Sequence, residues 1–380
     1  MYEVMPGVEL NPHQMFSLQL ILSDLKYVSK ALGAGGAWGA LMHLPYSCLV
    51  AYESHRFLDR KTQVPIVEPE WPRERVTAVR NSCKLFDDNK RTPRDILESY
   101  GASISASHEA FYPAKRLKVS DLLRTDTSVL CWDEHPVWNS IGFSELAGVN
   151  LKSRRKMKKY LYSLGFGVGQ FAGQFGISLE DVHGPLPLPV SQLGAHDVSS
   201  RALFSRSFAG QGDPTMTTVL FTMANLVSAA TRSAGSDCCT WCKLSASKHK
   251  FVVAYHAALS LQILFEHPDV SMSPAMRVRL GEVVNGSASR LLTPGCEALR
   301  RAFVHYGIED VPSESPIIVG IDEVLATYMQ MPAHEALHEI DDAVSLFDDQ
   351  FSDWMLTGPN GTPGLRDVLG SPEIRGDSKG

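Results

Sequence analysis

The fold of this chain is decided near its start, by NPHQMFSLQLILSDLKYVSKAL (residues 11–32), GAGG (33–36) and AWGALMHLPYSCLVAYESHRFLDR (37–60). Apolar residues in both long segments recur at steps of three and four, the spacing of one face of an α-helix. These faces consist of Leu18, Ile21, Leu22, Leu25, Val28 and Leu32 in the first segment, and of Leu41, Leu44, Cys48, Leu49, Tyr52 and His55 in the second. The spacing predicts a helical hairpin whose apolar faces later helices must cover.

The predicted hairpin has recognisable ends. Asn11 is a suitable N-cap, and Pro12 occupies the first helical position, where its missing N–H is not needed. Gly33 ends the first helix, and Pro45 bends the second because it removes an amide donor. A capping residue followed by proline recurs later in the chain, at Thr92-Pro93, Asp213-Pro214, Ser273-Pro274 and Thr293-Pro294. Each recurrence predicts the start of another helix.

The remaining pattern predicts a mainly α fold, an irregular helical assembly with few short strands. Helical spacing covers 214–231 and 247–267, and short apolar runs at 128–132 and 316–321 are the candidate strands. Proline-rich loops lie at 61–72 and 183–195. We therefore expect a helical domain over 1–182 that contains the hairpin and a basic patch, a second helical domain over 196–356, and a flexible tail over 357–380.

Composition limits the function classes. The chain has 380 residues and a net charge of −6, which disfavours a protein that coats nucleic acid by bulk charge neutralisation. We expect no secretion signal and no membrane span, since no apolar window is long and uncharged enough. Seven cysteines without a disulfide-like spacing indicate reduced thiols and folding inside a cell.

Charge is segregated along the chain. Six basic residues lie within eight positions: Lys152, Arg154, Arg155, Lys156, Lys158 and Lys159. In contrast, residues 302–365 contain no lysine or arginine, while twelve carboxylates lie between Glu309 and Asp353. The basic run predicts either non-specific contact with an RNA backbone or contact between copies of the chain. Two solvated surfaces that never meet are the alternative.

Aromatic residues follow the basic run directly, at Tyr160, Tyr162 and Phe166. Lysine and arginine contact phosphates while aromatic rings stack or pack, so this order is typical of RNA contact without base readout. A basic helix exposed to solvent, with its aromatic residues in the core, explains the same order. The sequence leaves both interpretations open.

Two motifs raise the question of metal binding. His334, Glu335 and His338 form HExxH, whose histidines share one helix face and could bind zinc while the glutamate activates water. The extended zinc-protease motif fails at Asp341, where a glycine is required, and no third ligand has a familiar spacing. The alternative is an acidic amphipathic helix with Leu337, Ile340, Val344, Phe347 and Trp354 on its other face. The second motif, Cys239-Thr-Trp-Cys242 with His249, lacks a second ligand pair, which favours buried thiols.

Glycines at 165, 167 and 169 do not match a dinucleotide-binding loop, because position 170 is glutamine and no strand–helix–strand unit surrounds them. We interpret them, together with Gly173 and Gly176, as sites of close backbone packing or as part of a mobile loop. The sequence therefore predicts no catalytic residues and no cofactor.

The run HLPYSCLVAYESHRFLDR (43–60), entered from an apolar helix, resembles the early helical region of coat proteins from the partitivirus group, small double-stranded RNA viruses of plants and fungi. The resemblance is confined to the hairpin, and the Pro-Gly-Pro stretch of some relatives is missing after residue 60. It implies a mostly helical capsid subunit, found in the virion and the host cytoplasm, that dimerises and assembles around genomic RNA. The basic run at 152–159 would then face RNA or a neighbouring subunit. The alternatives are a zinc-dependent hydrolase built on HExxH and a nucleocapsid-like RNA-binding protein.

Overall fold

The computed structural model describes residues 9–34, 36–87, 91–111, 126–147, 154–177, 193–233, 240–308, 321–361 and 364–369. Most of these residues are helical, and one small three-stranded sheet lies among the helices. The prediction of a mainly α fold with few short strands is therefore confirmed.

The N-terminal hairpin consists of α1 (Pro12–Ala34) and α2 (Gly36–Lys61). Asn11 caps α1 through its Oδ1, which accepts a hydrogen bond of 2.9 Å from the Gln14 amide. The Gln14 side chain in turn accepts one of 3.0 Å from the Asn11 amide, which completes a capping box. The predicted apolar faces meet in the core, where Leu25 and Leu44 are fully buried. Residues 62–72 then lead irregularly to the third helix.

Four more helices and three strands complete the first half of the fold. The helices are α3 (Arg73–Ser82), α4 (Pro93–Phe111), α5 (Ser140–Ala147) and α6 (Arg154–Gly173), and the strands are β1 (Thr127–Trp132), β2 (His135–Asn139) and β3 (Leu193–Val198). The strands form an antiparallel sheet in the order β2-β1-β3. Strand β1 confirms the strand predicted at 128–132. Of the strand predicted at 316–321, only Ile321 lies within the described residues.

The second half of the described chain is almost entirely helical. Its helices are α7 (Ser200–Arg206), α8 (Pro214–Ser233), α9 (Thr240–Glu266), α10 (Pro274–Val283), α11 (Ser289–Leu291), α12 (Pro294–His305), α13 (Ile321–Met329), α14 (Ala333–Leu356) and α15 (Gly364–Leu369). A π-helical turn at Val284–Ala288 joins α10 to α11. Helices α8 and α9 confirm those predicted over 214–231 and 247–267.

One hydrophobic core joins the two halves. Helix α9 packs against α1, α8, α12 and α14, so elements from both sides of the predicted boundary at 183–195 bury the same apolar surface. The core also includes part of the segment expected to be a flexible tail. Leu365 and Leu369 of α15 are buried, because α15 folds back against α7 and α14. Residues 370–380 lie outside the described residues.

Candidate functional site

Helix α6 carries the predicted basic patch at its start. Arg154, Arg155 and Lys156 lie in the first turn, Lys158 and Lys159 follow and are exposed, and Lys152 lies outside the described residues. The side chains of 154–157 also lie outside the described part of the structure. The first turn has no acidic residue. Since cations at a helix N-terminus oppose the helix dipole, this charge does not serve the stability of α6 itself.

The aromatic residues of α6 separate onto two faces. Tyr160 is buried together with Leu164 and Phe171, at the spacing of one helix face. Tyr162 and Phe166 point the other way, with 75% and 48% of their surface exposed. The interpretation that the aromatics lie in the core therefore describes Tyr160 and fails for the other two.

The exposed residues form one line along the helix. Lys158, Tyr162 and Phe166 are spaced by four, and Lys159 lies three residues before Tyr162, so their side chains share a face. We refer to Lys158, Lys159, Tyr162 and Phe166 as the α6 stripe. Exposed rings with lysines one turn away can bind a nucleic-acid strand by stacking and phosphate contact, or a neighbouring protein surface.

Segment 62–72 holds α6 in place. The Gln174 side chain accepts a hydrogen bond of 2.7 Å from the Val67 amide and donates one of 2.8 Å to the Val67 carbonyl. Gln170 accepts another of 3.0 Å from the Glu70 amide. Trp71 lies directly on Gly167, where an added Cβ would come within 2.7 Å of the Trp71 Cβ. Gly167 is thus required by close packing. The hydrogen bonds and this contact hold the helix that carries the α6 stripe against segment 62–72.

The HExxH motif lies at the exposed start of α14. The side chains of His334 and His338 are 83% and 75% exposed, and His338 Nδ1 is 2.9 Å from Asp342 Oδ2. The motif lines an open surface depression together with Arg290, Glu339 and Asp342. Among the described residues, no three His, Cys, Asp or Glu side chains are grouped as metal ligands. The zinc site remains a prediction.

The rest of α14 matches the amphipathic alternative. Its buried face includes Ile340, Val344 and Phe347, whereas its outer face carries a set of exposed carboxylates: Glu335, Glu339, Asp341, Asp342, Asp349 and Asp353. Leu346 lies among them with 45% of its surface exposed. Since α14 contains no lysine or arginine, this acidic face is complementary in charge to the α6 stripe.

The cysteine motif is only partly described. Cys239 lies outside the described residues, and so does the side chain of Cys242. His249, the remaining candidate ligand, is buried; its Nδ1 lies 3.1 Å from the Tyr27 hydroxyl, and its ring stacks on Tyr46 at 4.2 Å. Burial lowers the pKa of His249 well below its ordinary value. The geometry makes His249 a core residue.

Buried charges that the sequence analysis did not single out lie between α1, α9 and the end of α12. Asp24 and Lys248 form an ion pair from which water is excluded, with 0% and 2% of their side chains exposed. The Tyr306 hydroxyl donates a hydrogen bond of 2.8 Å to the same carboxylate oxygen. Burial lowers the pKa of Lys248, an effect that the Asp24 charge opposes.

A second buried carboxylate, Glu53, lies nearby on α2. It accepts a hydrogen bond of 2.9 Å from Arg80 Nε and lies 2.9 Å from His305 Nδ1. Burial alone raises the pKa of Glu53, but His305 and Arg80 outweigh burial, and the pKa lies below its ordinary value. These charges are neutralised within the fold, so they act in its architecture rather than in chemistry at a surface.

Comparison with known proteins adds no relative: no protein-family model, curated protein or solved structure matches this chain. None of the described helices combines the length and apolar content needed to cross a bilayer. The functional argument therefore depends on the chain's own geometry.

Proposed function

We propose that this chain is a self-assembling structural subunit of the capsid or coat type that contacts RNA through the α6 stripe. The exposure of Tyr162 and Phe166 beside two lysines is the observation that carries the proposal. Large aromatic side chains are usually buried, and a pair exposed on a basic helix is what backbone-directed RNA binding uses. The role is structural, needs no cofactor and belongs in the virion or the host cytoplasm.

The segregation of charge supports assembly. The α6 stripe is basic and aromatic, whereas the outer face of α14 is acidic around the exposed Leu346. Opposite charges on separate surfaces favour head-to-tail contact between copies and disfavour contact between like surfaces. The net charge of −6 is compatible with a shell around RNA, because a packaged duplex can keep part of its counterions.

RNA contact is tested by fluorescence anisotropy with labelled single-stranded and double-stranded RNA over a range of salt concentrations. The variant Lys158→Gln/Lys159→Gln should weaken binding uniformly across RNA sequences and lower the salt slope by about one per lysine removed. Tyr162→Ala/Phe166→Ala should weaken single-strand binding by about 1–3 kcal/mol per stacked base with little change in the slope. The control is Lys243→Gln, which removes an exposed lysine from α9. Equal affinity and equal slope in all four proteins would contradict the proposal.

Assembly is tested by analytical ultracentrifugation and negative-stain microscopy of the purified chain, with and without RNA. Closed particles support the proposal, whereas a monomer at every concentration contradicts it. RNA binding that depends on the α6 stripe without particle formation would favour the nucleocapsid-like alternative. The hydrolase alternative requires bound zinc, so metal analysis of wild type and His334→Ala decides it separately.

A further inference from the structure

A small cleft opens between the last turns of α2, segment 62–72 and the start of α3, with a volume of about 60 Å³. Three arginines line it: Arg56 and Arg60 from α2, and Arg73 from α3. We refer to it as the arginine cleft. Guanidinium groups present several N–H donors in a planar fork that matches the oxygens of a phosphate or carboxylate. Three of them around one small concavity point to an anionic ligand.

An internal carboxylate already occupies part of this cleft. Glu68, on segment 62–72, lies 3.0 Å from His55 Nε2 and 3.6 Å from Arg73 Nη1, and half of its side chain is exposed. Its position shows that the cleft attracts an anionic group. Because segment 62–72 has no regular hydrogen-bonding pattern at Glu68, this side chain can turn outward without disrupting a helix or strand.

The start of α3 adds positive potential to the same place. Pro72 occupies the N-cap and provides no side-chain cap, while its carbonyl accepts hydrogen bonds of 2.9 Å from the Arg75 and Val76 amides. The first turn also contains one acidic residue, Glu74, which offsets part of the positive potential of the helix end. Arg73, the first helical residue, lines the cleft, and the positive end of the helix dipole lies beside it.

The charge in the cleft is not neutralised by its own acids. Three arginines and two carboxylates, Asp59 and Glu68, line the cleft, which leaves an excess of one positive charge among these five side chains. Arg56 Nη1 also lies 3.7 Å from Oε2 of the buried Glu53, and this ion pair holds the guanidinium in position. The cleft volume of about 60 Å³ provides room for a phosphate group.

We propose that the arginine cleft binds a phosphate group, with Arg60 and Arg73 as the principal donors and Glu68 as the side chain that the phosphate displaces. Trp71, on the wall of the cleft, also lies against Gly167 of α6, so the cleft adjoins the helix that carries the α6 stripe. If the chain binds RNA as proposed above, an RNA strand is the source of this phosphate; this identification of the source rests on the proposed function, whereas phosphate binding itself does not.

The primary experiment measures binding of inorganic phosphate by calorimetry and by thermal shift, with chloride at matched ionic strength. Arg60→Gln/Arg73→Gln should weaken phosphate binding at least about tenfold, because two charge-assisted contacts are lost. Glu68→Gln should strengthen it, because the competing carboxylate is gone. Arg301→Gln, an exposed arginine on α12, is the matched control and should bind like wild type.

The two variants are expected to change phosphate affinity in opposite directions, so a general effect of substitution cannot explain both results. The Glu68→Gln protein keeps every arginine, so it tests the cleft even if the double arginine variant fails to fold. Phosphate affinity that is unchanged in Glu68→Gln, or no detectable phosphate binding to wild type, would overturn the proposal.

Short RNAs with and without a 5′-phosphate distinguish the sources of the phosphate. Preference for the phosphorylated strand that is lost in Arg60→Gln/Arg73→Gln identifies a strand end, whereas equal weakening of both strands identifies a backbone phosphate. If inorganic phosphate binds but RNA does not, the cleft stands and the proposed function fails. If RNA binds through the α6 stripe while inorganic phosphate does not, the cleft fails and the proposed function stands.

Discussion

Acidification should destabilise this protein through His43, a histidine buried in the hairpin. Only 1% of its surface is exposed, and neither ring nitrogen has a hydrogen-bond partner among the described residues. Its surroundings are rings: Tyr27 of α1 at 5.9 Å and His249 of α9 at 5.3 Å. Burial lowers the pKa of His43 from 6.5 to about 4. A proton added to this ring would find no acceptor and would meet a second buried imidazole.

The sign of the effect follows from where the proton binds. Between its ordinary pKa of 6.5 and about 4, His43 is protonated in the unfolded chain and neutral in the folded one. The unfolded state then binds more protons, so the free energy of unfolding falls as the pH falls through this window. Integrating the proton difference gives a loss of about 2 kcal/mol from His43 at about pH 5, and almost none above neutrality.

The variant His43→Phe isolates this contribution. Phenylalanine keeps an aromatic ring against Tyr27 and does not titrate. Between pH 7.5 and pH 5, the free energy of unfolding of the variant should therefore fall by about 2 kcal/mol less than that of wild type. Any packing penalty of the substitution is the same at both pH values and cancels in this comparison. His256, whose pKa burial also lowers, contributes equally to both proteins. The His43 charge helps to lower the pKa of His249, so its removal changes the His249 contribution in the same direction as the expected effect.

Urea unfolding followed by circular dichroism at the two pH values measures the difference. His334→Gln, at an exposed histidine of α14, serves as the control and should lose stability in parallel with wild type. If His43→Phe also loses stability in parallel with wild type, His43 is not a neutral buried imidazole, and the reasoning from burial to linkage is refuted.

Two further predictions concern the buried ion pair and the packing of Gly167. Lys248→Met should lower the free energy of unfolding by about 3–5 kcal/mol, because it leaves the Asp24 carboxylate buried without a cation. The double variant Asp24→Leu/Lys248→Met removes both charges and should recover much of this loss. Urea titration measures both values. Gly167→Ala should destabilise α6 by about 1–3 kcal/mol, since the new methyl group meets Trp71. Gly165→Ala on the same helix has open space around it and should stabilise the protein by up to about 1 kcal/mol, so destabilisation by both would contradict the packing argument.

Helix starts could be predicted from the sequence because the forces that fix them act within four residues. Ser273 Oγ accepts a hydrogen bond of 3.2 Å from the Met276 amide, and Thr293 Oγ1 accepts one of 3.2 Å from the Cys296 amide. Asp213 caps α8 in the same way. In each case the capping residue and the proline after it carry the whole signal. The predicted hairpin depended on the same local order.

Elements that exist because of distant partners could not be predicted. Strand β3 has the sequence LGAHDV, without alternation, and it is a strand because every one of its residues is paired with β1. Strand β2 begins with His-Pro and follows a turn in which Asp133 and Glu134 adopt positive φ values of 46° and 67°. Aspartate is common at the first position of such a turn, but Glu134 stands at the second position, where glycine would mark it. Helix α15 is likewise fixed by its contact with α7.

The candidate site was predictable in its charge and only partly in its geometry. The run of lysines and arginines is visible in the sequence, but grouping Tyr160, Tyr162 and Phe166 as one aromatic set overlooked the helical period. Tyr160, Leu164, Val168 and Phe171 recur at steps of four and three, which assigns that face to the core and places Tyr162 opposite it. The signal that separates the two faces was therefore present. The arginine cleft was not predictable, because its arginines come from two helices whose angle is set by packing.

The buried pair of Asp24 and Lys248 shows why contacts between distant parts of the chain cannot be predicted from local sequence patterns. Each residue interrupts an otherwise apolar helix face, and the two lie 224 positions apart, so no window of sequence contains both. A buried ion pair adds little stability compared with apolar residues of similar size, whereas an unpaired buried charge costs about 3–5 kcal/mol. Sliding α1 along α9 by one turn would leave both charges unpaired. We therefore expect the pair to act by excluding other alignments of the N-terminal hairpin on α9, and α1, which also packs against α6, would carry this alignment to the helix with the exposed stripe.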